Sequence, residues 1–377
     1  DKFLIDLETI VNIDSGSGYA PGLEAVSAFL EQRFRDIGWI TTHHSFDGGK
    51  VPCLEIANRS LSEQNSAFDM LFIGHMDTVF GQGTTAARPF SRDAKRAYGP
   101  GVCDMKGGLV TMLHVAEILQ ETGMTDDIAI AMAFNSDEEI GSCASRSWYE
   151  DLAVKSHCVF VFEPWRATGE RVLHRKGGGN FDVICHGKAA HAGAAPEEGA
   201  NAVIELAHQI LATKELARID RGTSVNVTVI SGGTADNVIP DYARAGVDVR
   251  IPDTDEGQRI EEGFRALDRS VHTPGVQVEV HGGINRPPMV PSEKTERLWE
   301  QIVVIGEEIG LEMKLLTTGG CSDGNYTSAL GIPTIDAMGT RGGCAHSEEE
   351  YIELDSIVPN MHLMCEIIKA FAEGRIN

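Results

Sequence analysis

Basic residues are scarce in this 377-residue chain: 32 lysines and arginines stand against 56 acids, a formal net charge of −24. That balance argues against nucleic acid as a partner, because phosphate binding needs a basic surface. It also makes any group of arginines notable, since an anionic substrate needs local cations. No apolar run approaches the ~20 residues of a membrane span, so no membrane partner is expected, and no charged-then-apolar leader is visible. The eight cysteines are scattered and include no C-x-x-C pair. In a chain of this length they read as buried thiols in a reducing compartment, not as a disulfide framework. The expected location is cytoplasmic, or periplasmic if a leader has been removed. Internal repeats, low-complexity segments and the His-Glu-x-x-His helix of single-zinc proteases are also missing.

What is present is enough apolar material, 42% of residues, for more than one core. Apolar residues recur at helical spacing over 22–37 (Leu23, Val26, Phe29, Leu30, Phe34) and again from Leu109 to Leu119. Between and after them lie continuous apolar runs, Met70 to Ile73, Ile128 to Phe134 and Val159 to Phe162. Strands alternating with helices predict a mostly parallel α/β sheet covered on both faces. Residues 177–286 read differently. Strand, helix, strand, strand, helix and strand patterns succeed one another, the ferredoxin-like order, with glycines at 177–179 and 282–283 as hinges. Helix and strand alternation resumes after Pro287-Pro288. The expected organisation is a catalytic α/β domain in two parts, 1–176 and 287–377, interrupted by a smaller α+β domain at 177–286.

Each apolar run ends on a residue that can bind a metal. His75 comes after the first, with Asp77 two residues on, spaced to orient its ring. Glu138 and Glu139 come after the second, and Glu163 after the third. Asp104 sits in a glycine-rich turn before a helix, and His346 lies near the C-terminus. Ligands in open α/β sheets collect beyond the carboxyl ends of the strands. Two zinc ions about 3.5–4 Å apart need a bridging carboxylate and roughly one His and one carboxylate each, and this set supplies them. Singly, each residue has a plainer explanation: Asp104 as a helix cap, Glu138-Glu139 as a solvated acidic step, His346 beside Ser347-Glu-Glu-Glu350 at a solvated helix start. Repeated placement at strand ends favours the metal site.

Six segments, Gly74-His-Met-Asp-Thr-Val79, Asp104-Met-Lys-Gly-Gly108, Asp137-Glu-Glu139-Ile-Gly141, Glu163-Pro164, Gly187-Lys-Ala-Ala-His-Ala-Gly193 and Ala345-His-Ser347, occur in order along nearly the whole chain. They resemble the aminoacylase/carboxypeptidase family of dinuclear zinc peptidases, and within it the bacterial glutamate carboxypeptidases of the carboxypeptidase G, folate-cleaving type. The resemblance implies two Zn²⁺ per subunit, with Co²⁺ or Mn²⁺ as substitutes. It implies that Asp104 bridges the metals, that His75 and Glu163 complete one site, and that Glu139 and His346 complete the other. Glu138 would be the general base and then the general acid, and Asp77 would orient His75. The Asp104–Met105 bond would be cis. His191, by composition alone a strand-end histidine among alanines and glycines, would reach the site of a partner subunit, making the inserted domain a dimerisation and lid domain of a homodimer.

A substrate carboxylate wants arginine. Arg250, Asn237 and Arg286 match family positions implied in gripping it, and the loop with Gly319-Gly320 and Ser322-Asp-Gly324 is expected to add backbone contacts. Lys176 and Arg171 are weaker candidates. Trp165, directly after Glu163-Pro164, is placed to narrow the pocket, and Cys103 and Cys344 lie beside the expected ligands Asp104 and His346. The expected activity is release of a C-terminal amino acid, glutamate favoured, from a small peptide or N-acyl-amino acid with a free carboxylate. The alternatives are an N-acyl-amino-acid deacylase or dipeptidase, a non-catalytic metal-binding protein, and a dinuclear phosphoesterase.

Overall fold

The computed structural model describes residues 1–62, 66–166 and 168–376. They form two compact units. The first comprises Asp1–His174, Val290–Thr317 and Ser322–Asn377, and the second Arg175–Met289 with Thr318–Cys321. Among the described residues no helix is long and apolar enough to cross a membrane.

The first unit is built on a six-stranded sheet, ordered Ile40–Phe46, Val51–Ala57, Ile130–Asn135, Phe68–His75, Ser156–Val161, Thr334–Ile335. Its last four strands run parallel, and all of these but the short Thr334–Ile335 strand are the apolar runs of the sequence. Val51–Ala57 runs antiparallel to both of its neighbours, Ile40–Phe46 and Ile130–Asn135, a departure from an all-parallel sheet. Ile40–Phe46 is an edge strand that is mostly exposed or half-buried, so it carries no continuous apolar run to betray it. Successive side chains of a strand face opposite ways, and each face has its own cover. Met70 and Phe72 join a core with helices Lys2–Val11, Ala20–Asp36, Gly107–Thr122, Glu293–Glu308 and Ile357–Ala372. Leu71 and Ile73 face Trp148, Tyr149 and Leu152 of helix Arg146–Ala153.

Parallel pairing matters for function because it brings strand ends to one edge. His75 pairs with Asn135, and the amide of Phe162 donates to Ile73 O at 2.9 Å. The segments that begin at His75, Asp137 and Glu163 therefore leave the sheet side by side.

The second unit has the ferredoxin-like order. Strands Gly177–His186, Ser224–Gly232, Tyr242–Ile251 and Gln277–Arg286 form one antiparallel sheet, with Gly177–His186 and Tyr242–Ile251 in its middle. Helices Ala202–Lys214 and Thr254–Ala266 pack on it. Asn201 Oδ1 caps the first, accepting from the Val203 and Ile204 amides, and Asp253 caps the second by accepting from Glu256 N–H at 2.8 Å.

Candidate metal centre

In the first unit the expected donors converge. His75, Glu138 and Glu163 present donor atoms within 4.8 Å of one another, and so do His75, Asp104 and Glu139. The arrangement around Asp104 is two-sided: its Oδ1 lies 3.1 Å from His75 Nε2 and its Oδ2 3.1 Å from His346 Nε2. His75 Nε2 is also 3.6 Å from Glu163, and His346 Nε2 is 3.2 Å from Glu139.

Local sequence explains how each donor is held. Gly74 lets Met105 and Leu109 pack close, since a β-carbon there would meet Met105 Cε and Leu109 Cδ2 at 2.9 Å. Gly108 likewise lets its helix start against Phe162 O, 2.1 Å from where a β-carbon would stand. The Asp104–Met105 peptide is cis. His75 Nδ1 lies 2.9 Å from the backbone oxygen of Asp77 and 3.4 Å from its carboxylate, so Nδ1 carries a proton and Nε2, turned toward Asp104, is the nitrogen a metal would take. Asp77 does a second job as well. Its carboxylate accepts from the amides of Glu138 and Glu139, each at 3.2 Å, and from Ser17 Oγ–H at 2.7 Å. One residue thereby fixes both, its backbone oxygen the first imidazole and its carboxylate the acidic turn.

The electrostatics call for cations. Asp77, Glu138 and Glu163 are buried with His75, and buried charge is costly unless it is paired. Burial opposes protonation of His75, yet its bonds to Asp104 and Asp77 hold it well above the ordinary imidazole value. Bonds to Asp104 and Glu139 lift His346 to about 10. Asp104 is held low by the same two histidines, against the effect of burial. Glu139 Oε1 is buried with no hydrogen-bond partner among the described residues. A set of imidazole nitrogens and carboxylate oxygens with an orphaned buried oxygen fits zinc, cobalt or manganese.

Other expectations resolve differently. Cys103 is buried, its sulfur 2.6 Å from where a β-carbon on Gly342 would stand, and burial pushes its thiol well up. It is a packed thiol. Trp165 is buried in a small core with Val172 and Ala337, and the Arg171 guanidinium stacks 3.8 Å above its ring. That stacking occupies one face of the Trp165 ring instead of leaving it to narrow a pocket. Arg171 is itself buried, bonded to Asn360 Oδ1 at 2.7 Å, which removes it as a substrate ligand. Ser322 and Asp323 are also buried, Asp323 accepting from Asn135 and Tyr149, so they brace the sheet edge. Ser347–Glu350 is no helix start, and Glu350 is wholly buried.

The second unit gathers the expected anion-binding residues in two places. Arg250 and Arg286 both pair in register with Gly178, on the strands to either side of it. Arg175 Nη1 donates to Gly320 O at 3.3 Å, and Arg250 Nη1 lies 3.4 Å from Cys321 Sγ. Arg250 is already engaged by Asp248 at 2.9 and 3.1 Å. Arg175 is the residue that sequence reasoning passed over here; its place in Arg175-Lys-Gly-Gly-Gly179, beside the glycine run, was the available signal. Elsewhere, a two-stranded ribbon pairs His191 with Val238, and the Ala192 amide donates to Asn237 O. His191 Nδ1 accepts from the amides of Gly193 and Ala194, both at 3.1 Å. The remaining proton therefore sits on Nε2, and the exposed ring offers a donor.

The profile of Peptidase family M20/M25/M40 matches residues 71–370, and the chain belongs to that family. It is accordingly a metal-dependent hydrolase of peptide or amide bonds. It is 32% identical over 375 residues to carboxypeptidase G2 of Pseudomonas sp. (strain RS-16), covering 98% of this chain and 89% of that protein. Succinyl-diaminopimelate desuccinylase of Gluconacetobacter diazotrophicus is 28% identical over 322 residues, 81% of this chain and 80% of that one. Among solved structures, aminopeptidase PepT from Bacillus cereus has a TM-score of 0.78 at 22% identity, covering 97% of both chains. A family M20 metallo-carboxypeptidase from Sulfolobus solfataricus has 0.76 at 17% identity, covering 99% of this chain and 100% of the other. These two likenesses carry the fold.

Proposed function

We propose that the chain is a dinuclear zinc carboxypeptidase that hydrolyses an amide bond to release a C-terminal amino acid, glutamate favoured. The observation that carries the dinuclear reading is the posture of Asp104, one carboxylate oxygen toward His75 and the other toward His346. In this reading Asp104 would be shared between two ions, His75 and Glu163 would complete the set for one, and Glu139 and His346 the set for the other. Bound there, zinc would polarise the scissile carbonyl and make water acidic enough to ionise near neutral pH. Glu138, its backbone fixed by Asp77, takes the proton of the attacking water on its carboxylate and delivers it to the leaving nitrogen. His191 of a second copy donates Nε2–H to the developing oxyanion. Arg250, Arg286 and Asn237 grip the substrate carboxylate, with Gly320 contributing backbone, in a chain where cations are otherwise outnumbered.

The homodimer reading is supported by an apolar surface on the second unit. The unpaired edge of strand Ser224–Gly232 exposes Val229 and Ile230, and helix Ala202–Lys214 exposes Ile204 and Leu211. A second reading, an N-acyl-amino-acid deacylase, is favoured by the similarity to succinyl-diaminopimelate desuccinylases. One experiment separates these possibilities. Metal content is measured on the purified protein, and glutamate release from N-acyl-glutamates is compared with hydrolysis of N-acetyl neutral amino acids, N-succinyl substrates and dipeptides. Two metals per chain and a higher kcat/KM on C-terminal glutamate are expected. No advantage for acidic C-termini would remove the glutamate assignment, and a single metal would remove the bridging role of Asp104.

A further inference from the structure

We propose that Glu350 is a positioning residue for Asp104, acting through the backbone of the turn that presents it; the inference rests on the reading of Asp104 as a metal ligand. The side chain is wholly buried. Its Oε1 accepts from the amides of Cys103 at 2.8 Å and Asp104 at 2.9 Å, and its Oε2 from the amide of Gly101 at 3.0 Å. The neighbouring amides of Val102 and Lys106 bond within the turn instead, to the carbonyls of Gly99 and Gly101. The turn bends through left-handed backbone at Gly101, φ 71°, so regular helical bonding has not yet begun. A buried amide without a partner is strongly unfavourable. One carboxylate satisfies all three.

The sheet explains how a residue 246 positions away arrives there. Strand Tyr351–Glu353 pairs antiparallel with Arg96–Tyr98, which leads into the turn, and on its other side with Arg341–Gly343. Gly342 permits that approach, since a β-carbon there would stand 2.2 Å from Tyr351 O. Residues 344–350 are thus a hairpin loop that delivers two groups to one aspartate. His346 meets its carboxylate, and Glu350 holds its main chain. Lys106 secures the far end of the turn, its Nζ donating to Ile13 O at 2.8 Å.

The test uses the full-length protein as wild type, Glu350→Ala, Glu350→Gln and, as a control on the exposed neighbour, Glu349→Gln. Zinc affinity is measured by chelator competition, and hydrogen exchange is monitored over residues 99–106 of the metal-free protein. Glu350→Ala is expected to weaken zinc by about 10–100-fold and to speed exchange of the turn amides. Glu350→Gln keeps the Oε1 bonds, loses the one from Gly101 and falls between; Glu349→Gln matches wild type. Added zinc should restore kcat in the weakened variants. If Glu350→Ala does not fold, Glu350→Gln decides. Folded variants that melt earlier yet bind zinc as wild type does, with unchanged exchange, would overturn the proposal. Wild-type protein that binds no zinc, with Glu350 still protecting the amides, would instead sink the metal reading alone.

Discussion

At the scale of single residues, the two acids of the step Glu138-Glu139 meet different neighbours. Glu139 faces His346, while Glu138 groups with His75 and Glu163. If Glu138 is the base, Glu138→Gln should lower kcat by about 10²–10⁴-fold while metal per chain stays at the wild-type value. Turnover that survives the change would remove it from the mechanism. The convergence of these side chains was legible in the sequence because His75, Glu138, Glu139 and Glu163 come directly after continuous apolar runs, and a strand end in an α/β sheet is a place with chemical meaning. Glu350 was not, since three consecutive glutamates after a serine look like solvated charge. The second task of Asp77 was hidden too, because it depends on the register that sets His75 beside Asn135.

At the scale of elements, helix Thr254–Ala266 in the second unit carries a titration prediction. Glu256 is buried in its first turn. The bond from Arg259, against the opposing effect of burial and with help from Thr223 and Arg218, holds its carboxyl at about 2. A folded-state value below the unfolded one stabilises above the ordinary value near 4.5, and that contribution is lost as pH falls through about 2. The difference in urea midpoint between wild type and Glu256→Gln should therefore be largest near neutrality and shrink steadily on acidification. A difference that did not change with pH would show that shape, not charge, holds this network. Element reading from sequence worked where burial was two-sided and continuous, as at Met70 to Ile73. It missed strand Ile40–Phe46, which is exposed along most of its length. It also missed helix Arg146–Ala153, whose eight residues bury only Trp148, Tyr149, Leu152 and Ala153.

At the scale of the whole molecule, the proposed dimer makes each active site a joint product. A two-fold arrangement is reciprocal, so a subunit lacking Glu138 can still lend His191 to its partner. Refolding or co-expressing equal amounts of inactive Glu138→Gln and His191→Ala chains should recover about a quarter of wild-type activity, because random pairing makes half the dimers mixed and each has one intact site. Ile230→Lys, on the exposed edge strand, should yield monomers by light scattering and abolish that recovery. No recovery from a mixture proven to contain heterodimers would place His191 outside the partner's site.

The order in which the ribosome releases these groups is set by the connectivity of the two units. Four of the proposed ligands precede residue 175, but His346, and Glu350 behind it, come only after the whole of the second unit. At ordinary elongation rates of about 5–20 residues per second that interval is about 9–35 s. Until it ends, the chain lacks its second candidate imidazole, and the turn amides of Gly101, Cys103 and Asp104 lack the carboxylate that accepts from them. A newborn chain should hold metal loosely, if at all, before its last few dozen residues arrive. Loss of the C-terminal segment to a protease would return the enzyme to that unfinished condition.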